Sequence, residues 1–349
     1  MIKAASLFSN VGIAETYLKK CGIEVVVANE LLKDRAKFYK HLYPETNMIT
    51  GDITNPEIFS AVVSASLKEK IDFVIATPPC QGMSVAGKMN ESDPRNSLII
   101  KAVEFIKQTQ PSNAIIENVP TMLKTYIVVN DKKILIKDYI IQELGKEYNI
   151  TFNILNAADY GTPQVRKRAI TLLTKNGTWE LPPKQPLITV RAAIGNLPSL
   201  ESNQKSDLKF HYAPKHCDNH ILWMKHTPTG KTAFNNEIYF PQKADGTRIK
   251  GFATTYKRMD WDKPAPTVTM CNGAISSQNN VHPGRPLPDG TYSDARVLTL
   301  LELFRIMGLP DDWNVPEWAS DNLIRKVIGE GIPPHLIEAI ISTMPKNKK

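Results

Sequence analysis

A cysteine that follows two prolines is the feature of this sequence most indicative of chemistry. Cys80 lies in the segment TPPCQGMS (77–84), directly after the apolar run Phe73–Ala76. Prolines fix the backbone angle φ, and a stiff loop can hold a thiol at attack distance from a substrate. A lone cysteine is more often a buried structural residue, but such a residue does not need this rigid setting. We therefore predict that Cys80 is a nucleophile.

A carboxylate and two arginines follow later strand-like segments. Glu117 lies in the run AIIEN (114–118), one residue before its end, and Arg166 and Arg168 occur in QVRKR (164–168). A carboxylic acid beside a thiol suits addition to a nitrogen heterocycle, because the acid binds the ring nitrogen and amino group while sulfur attacks an electron-poor carbon. The two arginines are on one face of an extended chain and can bind a carbonyl or a phosphate.

The elements that must position these residues alternate between short apolar runs and amphipathic stretches. Residues 4–8, 24–28, 72–76 and 114–116 are expected as strands, and residues 12–20, 31–42, 56–69, 97–108 and 137–147 as helices. Two later strands, 150–155 and 168–173, are expected as a hairpin that closes the sheet. This alternation predicts an α/β fold with a doubly wound, mostly parallel sheet. In such sheets ligands bind beyond the carboxyl ends of the strands.

The second half of the chain has a different composition. A proline-rich stretch at 178–186 indicates a boundary, and the chain is then loop-rich to about Val281. An amphipathic helix is expected over Arg296–Met307, ending at Gly308, and a last helix over Pro334–Ile341.

The turn after the first strand indicates the type of cofactor. It runs from Phe8 to Glu15 and contains one glycine, Gly12. A dinucleotide site needs GxGxxG so that the backbone can approach a pyrophosphate, so a nicotinamide cofactor is disfavoured and S-adenosylmethionine is compatible. Glu30 ends the second strand, where a carboxylate can accept hydrogen bonds from ribose hydroxyls. Asp52 ends the third and can hold an adenine amino group.

Composition narrows the class of protein further. The chain has 349 residues and a formal net charge of +8, which favours a nucleic-acid partner. Its four cysteines form no CxxC pair, so we expect neither zinc nor a disulfide framework, and His216–His220 is expected to be a polar loop rather than a metal site. No apolar run is long enough to cross a bilayer, and the start does not resemble a secretory signal. A cytoplasmic protein without a membrane partner is expected.

With these residues in view, the chain resembles the DNA cytosine-5 methyltransferases of bacterial restriction–modification systems over nearly its whole length. The matching blocks, in the family's order, are FSNVG (8–12), NE (29–30), GDI (51–53), PPCQGMS (78–84), ENVP (117–120), QVRKR (164–168), WDKPAPTVT (261–269), HP (282–283), RVLTLLELFRIMGLPDDW (296–313) and GEGIPPHLIEAI (329–340).

The resemblance implies a role for each candidate residue. Cys80 would attack carbon 6 of a cytosine rotated out of the duplex, Glu117 would hold the ring nitrogen and amino group, Arg166 would contact the ring carbonyl and Arg168 would support that site. The residues expected to bind S-adenosylmethionine are Phe8, Gly12, Glu30, Asp52, Ile53, Pro79 and Leu98. The residues expected to contact DNA are Gln81, Ser84 and Arg296.

The resemblance also implies a domain organisation and partners. A Rossmann-like catalytic and cofactor-binding domain would span 1–186 plus 322–349, a smaller target-recognition domain 187–295, and a hinge with a connecting helix 296–321. The partners would be double-stranded DNA with a specific target sequence and a restriction endonuclease for the same site. The protein would be a monomer.

Two departures from the family pattern affect the cofactor site. Asn10 stands where the family commonly has glycine, and Glu330-Gly331 stands where Asn-Ser is usual. Both could alter cofactor affinity without changing the chemistry.

Three other functions are compatible with parts of the sequence. An RNA cytosine methyltransferase shares the chemistry but has a reduced recognition segment, whereas the segment here is long. A non-catalytic DNA-binding protein would not need Cys80 and Glu117. A nicotinamide oxidoreductase conflicts with the single-glycine turn.

Overall fold

The structure, a computed structural model, describes residues 1–79 and 98–346. The predicted site residues Cys80, Gln81 and Ser84 lie outside the described residues. The chain divides into two compact units, and the first comprises 1–156, 167–184 and 336–349, whereas the second comprises 157–166 and 185–335. Within the described ranges, the helices are all too short or too polar to cross a membrane.

A sheet of seven described strands forms the centre of the first unit. The strands are β1 (Ile2–Leu7), β2 (Ile23–Glu30), β3 (Asn47–Thr50), β4 (Phe73–Ala76), β5 (Asn113–Asn118), β8 (Asn149–Asn156) and β9 (Lys167–Thr174). Their order is β3-β2-β1-β4-β5-β9-β8. The first five are parallel, and β9 is antiparallel to both neighbours. The predicted doubly wound, mostly parallel sheet is confirmed, and its order reverses between β1 and β4.

The remaining elements of this unit pack on the sheet or extend from it. The helices are α1 (Lys33–Leu42), α2 (Pro56–Glu69), α3 (Leu98–Thr109) and α4 (Ile136–Leu144), and most of α9 (Pro334–Ser342) belongs here. A separate hairpin pairs β6 (Tyr126–Val129) with β7 (Lys132–Leu135). The side chain of Asn55 caps α2 by accepting from the Glu57 amide, as expected for a helix with proline at its first position. All four residues of β4 are buried, because the sheet is covered on both faces.

The helix predicted at residues 12–20 is absent from this described segment. The chain there makes successive i→i+3 turns, from Glu15 to Gly12 and from Thr16 to Ile13, and ends in a short 3₁₀ helix at Leu18–Cys21. The Thr16 hydroxyl also donates to the Ile13 carbonyl. Such a side-chain bond occupies a backbone acceptor that an α-helix would use.

The second unit contains short helices and isolated bridges rather than long strands. Its helices are α5 (Val190–Ile194), α6 (Asp218–Lys225), α7 (Leu300–Met307) and α8 (Asp321–Glu330). One small core consists of Trp223, Met224, Ala233, Ile275, Val281, Ala295 and Val297. Residues 157–166 and 322–335 belong to this unit, although the sequence assigned them to the first. Residues 157–166 belong to the second unit because Gln164 forms a parallel bridge with Ala265.

The helix predicted from Arg296 begins four residues later. Thr299 is its N-cap, and Thr299 and Glu302 satisfy each other's backbone amides in a capping box. Arg296 lies in the extended segment before the cap, beside the Val281–Val297 bridge. The helix ends at Gly308, at φ 80°, as predicted.

Arg296 lies in a buried charge cluster, and the prediction that it contacts DNA is wrong. Its side chain is 0% exposed. Its guanidinium donates to Glu302 at 2.8 Å and to Asp294 at 2.8 Å. Burial, helped by the positive charge of Arg296, lowers the pKa of His282 to about 3, so this ring is neutral at physiological pH and its 3.6 Å approach to Glu302 is not an ion pair. The cluster also includes Arg285, paired with Asp294 at 3.2 Å, and the fully buried Arg258, which donates to the Asp294 carbonyl.

We predict that Glu302→Gln destabilises the second unit strongly. Removing one partner of a buried pair leaves a desolvated charge, which costs about 3–5 kcal/mol. The matched control is Asp311→Asn, which breaks an ion pair with Arg305 that is half-exposed on the aspartate side and should cost less than about 1 kcal/mol. Differential scanning calorimetry measures both, and equal shifts in melting temperature for the two variants would contradict the prediction.

Candidate active site

The turn that leaves β1 has an unusual backbone. Phe8, Asn10 and Gly12 all have positive φ, at 58°, 52° and 82°. Asparagine is among the few residues other than glycine that enter the left-handed region at low cost. Asn10 therefore adopts the left-handed conformation at the position where the family commonly has glycine. Strained backbone of this kind tends to occur at ligand sites.

Glu30, at the end of β2, is held in place by backbone amides. Its two carboxylate oxygens accept from the amides of Asn10 and Leu32, each at 2.9 Å. The neighbouring Asn29 donates to the carbonyls of Ile49 and Gly51. Glu30 thus connects the β1 turn to β2, and Asn29 fixes the end of β3 beside them.

The other predicted cofactor residues also follow strand ends or adjoin them. Asp52 lies two residues after the end of β3, and its exposed carboxylate accepts from the amide and hydroxyl of Thr54. Ile53 is buried, and Leu98 begins α3 and is half-buried. Because β1, β2 and β3 are parallel neighbours, Phe8, Glu30 and Asp52 follow adjacent strand ends on one edge of the sheet.

Hydrogen bonds hold the backbone just before Cys80, at Thr77 and Pro78. Asn118, the last residue of β5, donates from its side-chain amide to the Pro78 carbonyl at 3.0 Å. The Thr77 hydroxyl donates to the Phe8 carbonyl at 3.0 Å. Pro79 is half-buried and is the last described residue before Cys80. The sequence did not single out Asn118, although an asparagine ending a buried strand is a signal that a backbone group nearby needs a donor.

Glu117 and Arg168 form an ion pair at the end of β5. Arg168 Nε lies 2.8 Å from Glu117 Oε1, and the side chains are 13% and 8% exposed. The strands β5 and β9 are antiparallel neighbours, which brings residues distant in sequence together. The structure thus unites one predicted acid with one predicted arginine at the same edge of the sheet as Pro78.

Arg166 has a different environment, within the second unit. Its side chain is 2% exposed, and its terminal nitrogens donate to the carbonyls of Val268 and Gly329, each at 2.9 Å. Gly329 has no room for a side chain, because a Cβ would lie 2.2 Å from the Thr269 carbonyl oxygen. Arg166 therefore joins two backbone segments, and we correct its expected contact with a substrate carbonyl to a positioning role.

A buried carboxyl beneath the β1 turn was missed in the sequence. Glu15 is 4% exposed, and burial raises its pKa to about 7, although hydrogen bonds from Ser6 and Tyr39 oppose the shift. It packs against Gly12, where a Cβ would lie 2.4 Å from Glu15 Oε2 and 2.3 Å from the Tyr43 ring. The Tyr43 hydroxyl donates to the Gly12 carbonyl at 2.6 Å. The sequence signal that could have identified Glu15 is an acidic residue among the apolar residues of this turn.

We predict that Glu15 makes stability depend on pH near neutrality. Because its folded pKa of about 7 lies above the ordinary value of 4.5, the folded state binds the extra proton between these values. Stability is therefore greatest at low pH and falls as the pH rises from 4.5 to about 7, by about 3 kcal/mol. Glu15→Gln should remove this loss, so its melting temperature should exceed that of the wild type at pH 8 by more than at pH 5. A difference independent of pH would count against the buried carboxyl.

Known proteins resemble this chain over nearly its whole length. The family model for C-5 cytosine-specific DNA methylase matches residues 2–346. The Type II methyltransferase M1.HgaI of Avibacterium volantium is 53% identical over 345 residues, covering 97% of each chain. The Type II methyltransferase M1.HphI of Haemophilus parahaemolyticus is 28% identical, covering 97% of this chain and 86% of its own.

Solved structures share the fold. An E. coli protein described as a prophage-encoded DNA modification methyltransferase has a TM-score of 0.68 at 20% identity, covering 98% of each chain. A Spodoptera frugiperda DNMT2 mutant has a TM-score of 0.64 at 17% identity, covering 98% of this chain and 99% of that one. The match of the family model to almost the whole chain and the 53% identity to a methyltransferase show that this chain belongs to the C-5 cytosine-specific DNA methylase family and is a DNA cytosine-5 methyltransferase.

Proposed function

We propose that this chain methylates carbon 5 of a cytosine within a specific sequence of double-stranded DNA, with S-adenosylmethionine as methyl donor and Cys80 as nucleophile. The observation that supports the proposal most directly is the Glu117–Arg168 pair. This pair lies at the strand end whose last residue, Asn118, holds the backbone leading to Cys80. An acid paired with a guanidinium suits the binding of a polar heterocycle.

The proposed reaction begins with the Cys80 thiolate. Its sulfur forms a bond to carbon 6 of cytosine, and the electrons of the carbon 5–carbon 6 double bond shift to make carbon 5 nucleophilic. Glu117 holds a proton at ring nitrogen 3 and so disperses the negative charge. After the methyl group has been accepted at carbon 5, a base removes the proton there, the carbon–sulfur bond breaks and the double bond re-forms.

The residues of the β1–β3 edge suit S-adenosylmethionine. Glu30 is fixed by two amides and can accept from ribose hydroxyls, and the exposed carboxylate of Asp52 can accept from an amino group. Ile53 and Leu98 provide apolar contact for a base. Phe8, Gly12 and Pro79 complete the proposed set from the backbone turns beside them. When bound, this cofactor supplies an electrophilic methyl group.

The two arginines of QVRKR have separate roles in this proposal. Arg168 contacts the substrate's ring carbonyl, because it is paired with the proposed catalytic acid. Arg166 acts indirectly by holding Val268 and Gly329, and the second of these adjoins Glu330, one of the two departures from the family pattern.

The proposed partners follow from the family and its relatives. The net charge of +8 favours binding to phosphate backbones, and rotating a cytosine out of the duplex costs a few kcal/mol that protein–DNA contacts must offset. The relatives are named Type II methyltransferases, so we propose a cognate restriction endonuclease that recognises the same sequence. We further propose that 187–295 recognises the target and that the enzyme acts as a cytoplasmic monomer.

We predict that Cys80→Ser abolishes methyl transfer and leaves DNA binding largely intact, because the hydroxyl of serine is a far weaker nucleophile. Bisulfite sequencing of plasmid DNA from expressing cells measures methylation. A duplex with 5-fluorocytosine at the target should trap the wild type covalently, since carbon 5 then has no removable proton. Wild-type turnover by Cys80→Ser would refute the role of Cys80, and an absence of protected cytosines with the wild-type enzyme would refute the proposed function.

We predict that Arg168→Met and Arg166→Met fail in different ways. Removing Arg168, a group that touches the reacting ring in this proposal, should lower kcat by about 10²–10³-fold and leave S-adenosylmethionine binding unchanged. Removing the buried Arg166 should lower the melting temperature and weaken S-adenosylmethionine binding, as measured by isothermal titration calorimetry. The opposite pattern, with Arg168→Met deficient in S-adenosylmethionine binding and Arg166→Met stable, binding the cofactor but inactive, would restore the assignment made from the sequence.

A further inference from the structure

We infer that a small hairpin of the second unit, Pro241–Ile249, together with Phe252 enters the major groove of the substrate duplex and selects the target sequence. The inference rests on the proposed function, because it takes double-stranded DNA as the substrate. It assigns recognition of the target sequence to a few side chains within residues 187–295.

The backbone of Pro241–Ile249 forms a short hairpin with one isolated bridge. Gln242 and Arg248 make an antiparallel bridge. The Lys243 amide donates to the Thr247 carbonyl at 2.9 Å, and the Ile249 amide donates to the Pro241 carbonyl at 2.8 Å. Asp245 and Gly246 form the tip, where Gly246 has a φ of 81° and the Asp245 carboxylate accepts from the Thr247 amide. A two-stranded ribbon of this kind fits the width of the major groove.

The base of the hairpin is fixed to the rest of the second unit. The Arg248 guanidinium donates to the carbonyls of Phe234 and Asn236 and lies 3.5 Å from the centroid of the Phe240 ring. The Asn236 side chain in turn donates to the carbonyls of Trp223 and Tyr239. A reading element must be held by supporting contacts if it is to discriminate between bases. The hairpin meets this requirement at its base, while residues 242–248 remain exposed.

Two large apolar side chains next to the hairpin are exposed to an unusual degree. Ile238 and Phe252 are each 76% exposed, more than any other large apolar side chain in the described ranges. Exposed apolar groups with polar neighbours commonly indicate an interaction site. In the major groove they can contact the thymine methyl group, which distinguishes one base pair from the others.

The charges around these side chains favour DNA as the binding partner. Lys243, Arg248 and Lys250 are exposed. The acids nearby are Glu237 and Asp245, and Asp245 is engaged with its own turn. Cations beside exposed apolar groups suit a groove that is lined by phosphates at its edges and by base edges at its floor.

The first test is Phe252→Ala in the full-length enzyme. The ratio of kcat/KM for the target duplex to that for duplexes with a single changed base pair should fall about tenfold at one position of the target, because one base contact is lost. Ile238→Ala is the second variant at the same surface. Leu287→Ala, which is 40% exposed in the same unit, is the matched control and should leave the ratio unchanged.

The second test is Lys250→Ala. Its affinity for all duplexes should fall uniformly, and the slope of log K against log salt concentration should decrease in magnitude by about 0.9, as expected for one lost phosphate contact. Lys146→Ala, an exposed lysine of the first unit, is the control. Fluorescence anisotropy with labelled duplexes gives the slope.

The outcomes separate the inference from the proposed function. Wild-type methylation with unchanged base preference in Phe252→Ala and Ile238→Ala, and an unchanged salt slope in Lys250→Ala, would overturn the inference and leave the proposed function standing. If the wild-type enzyme methylates no DNA, both the inference and the proposed function are refuted. Melting temperatures and S-adenosylmethionine affinities equal to the wild type are expected for all three variants, and altered base preference with these unchanged supports the inference.

Discussion

The end of strand β5 is the constraint on which the candidate active site depends. Successive side chains of a strand point to opposite sides, and here Glu117 pairs with Arg168 while Asn118 holds the Pro78 carbonyl. Two adjacent residues thus position the proposed acid and hold the backbone at Pro78, two residues before the proposed nucleophile Cys80. The spacing between them is set by the backbone of the sheet, which is among the stiffest parts of a protein. A shift of β5 would displace both at once.

The fold was largely predictable from the sequence because the strands of a parallel sheet are apolar on both faces and stand out clearly. The residues of β4, all buried, are an example. The segment after β1 was not predictable in this way, since its apolar and polar residues also fit an amphipathic helix. There the Thr16 hydroxyl and the positive φ of Gly12 decide the outcome, and neither appears in a hydrophobic pattern.

The candidate site was predictable in its residue types but only partly in its contacts. Glu30 and Asp52 could be placed because Glu30 ends β2 and Asp52 lies two residues after β3. The two arginines could not be told apart, since alternation along an extended chain puts Arg166 and Arg168 on one side. In the structure the chain changes unit between them, so one is buried among carbonyls and the other faces Glu117. Arg296 shows the same limit, because nothing local reveals that Asp294 and Glu302 enclose it.

The first unit is assembled from three separate stretches of the chain. Its last stretch contains most of α9, where the Ile340 carbonyl accepts from the Trp179 indole at a separation of 161 residues. Contacts between residues so far apart close long loops and form slowly. During synthesis the sheet therefore exists before the helix that completes its packing, while the second unit is made in between. The newly made sheet must survive with part of its apolar surface uncovered, which is the condition under which nascent chains aggregate or engage chaperones.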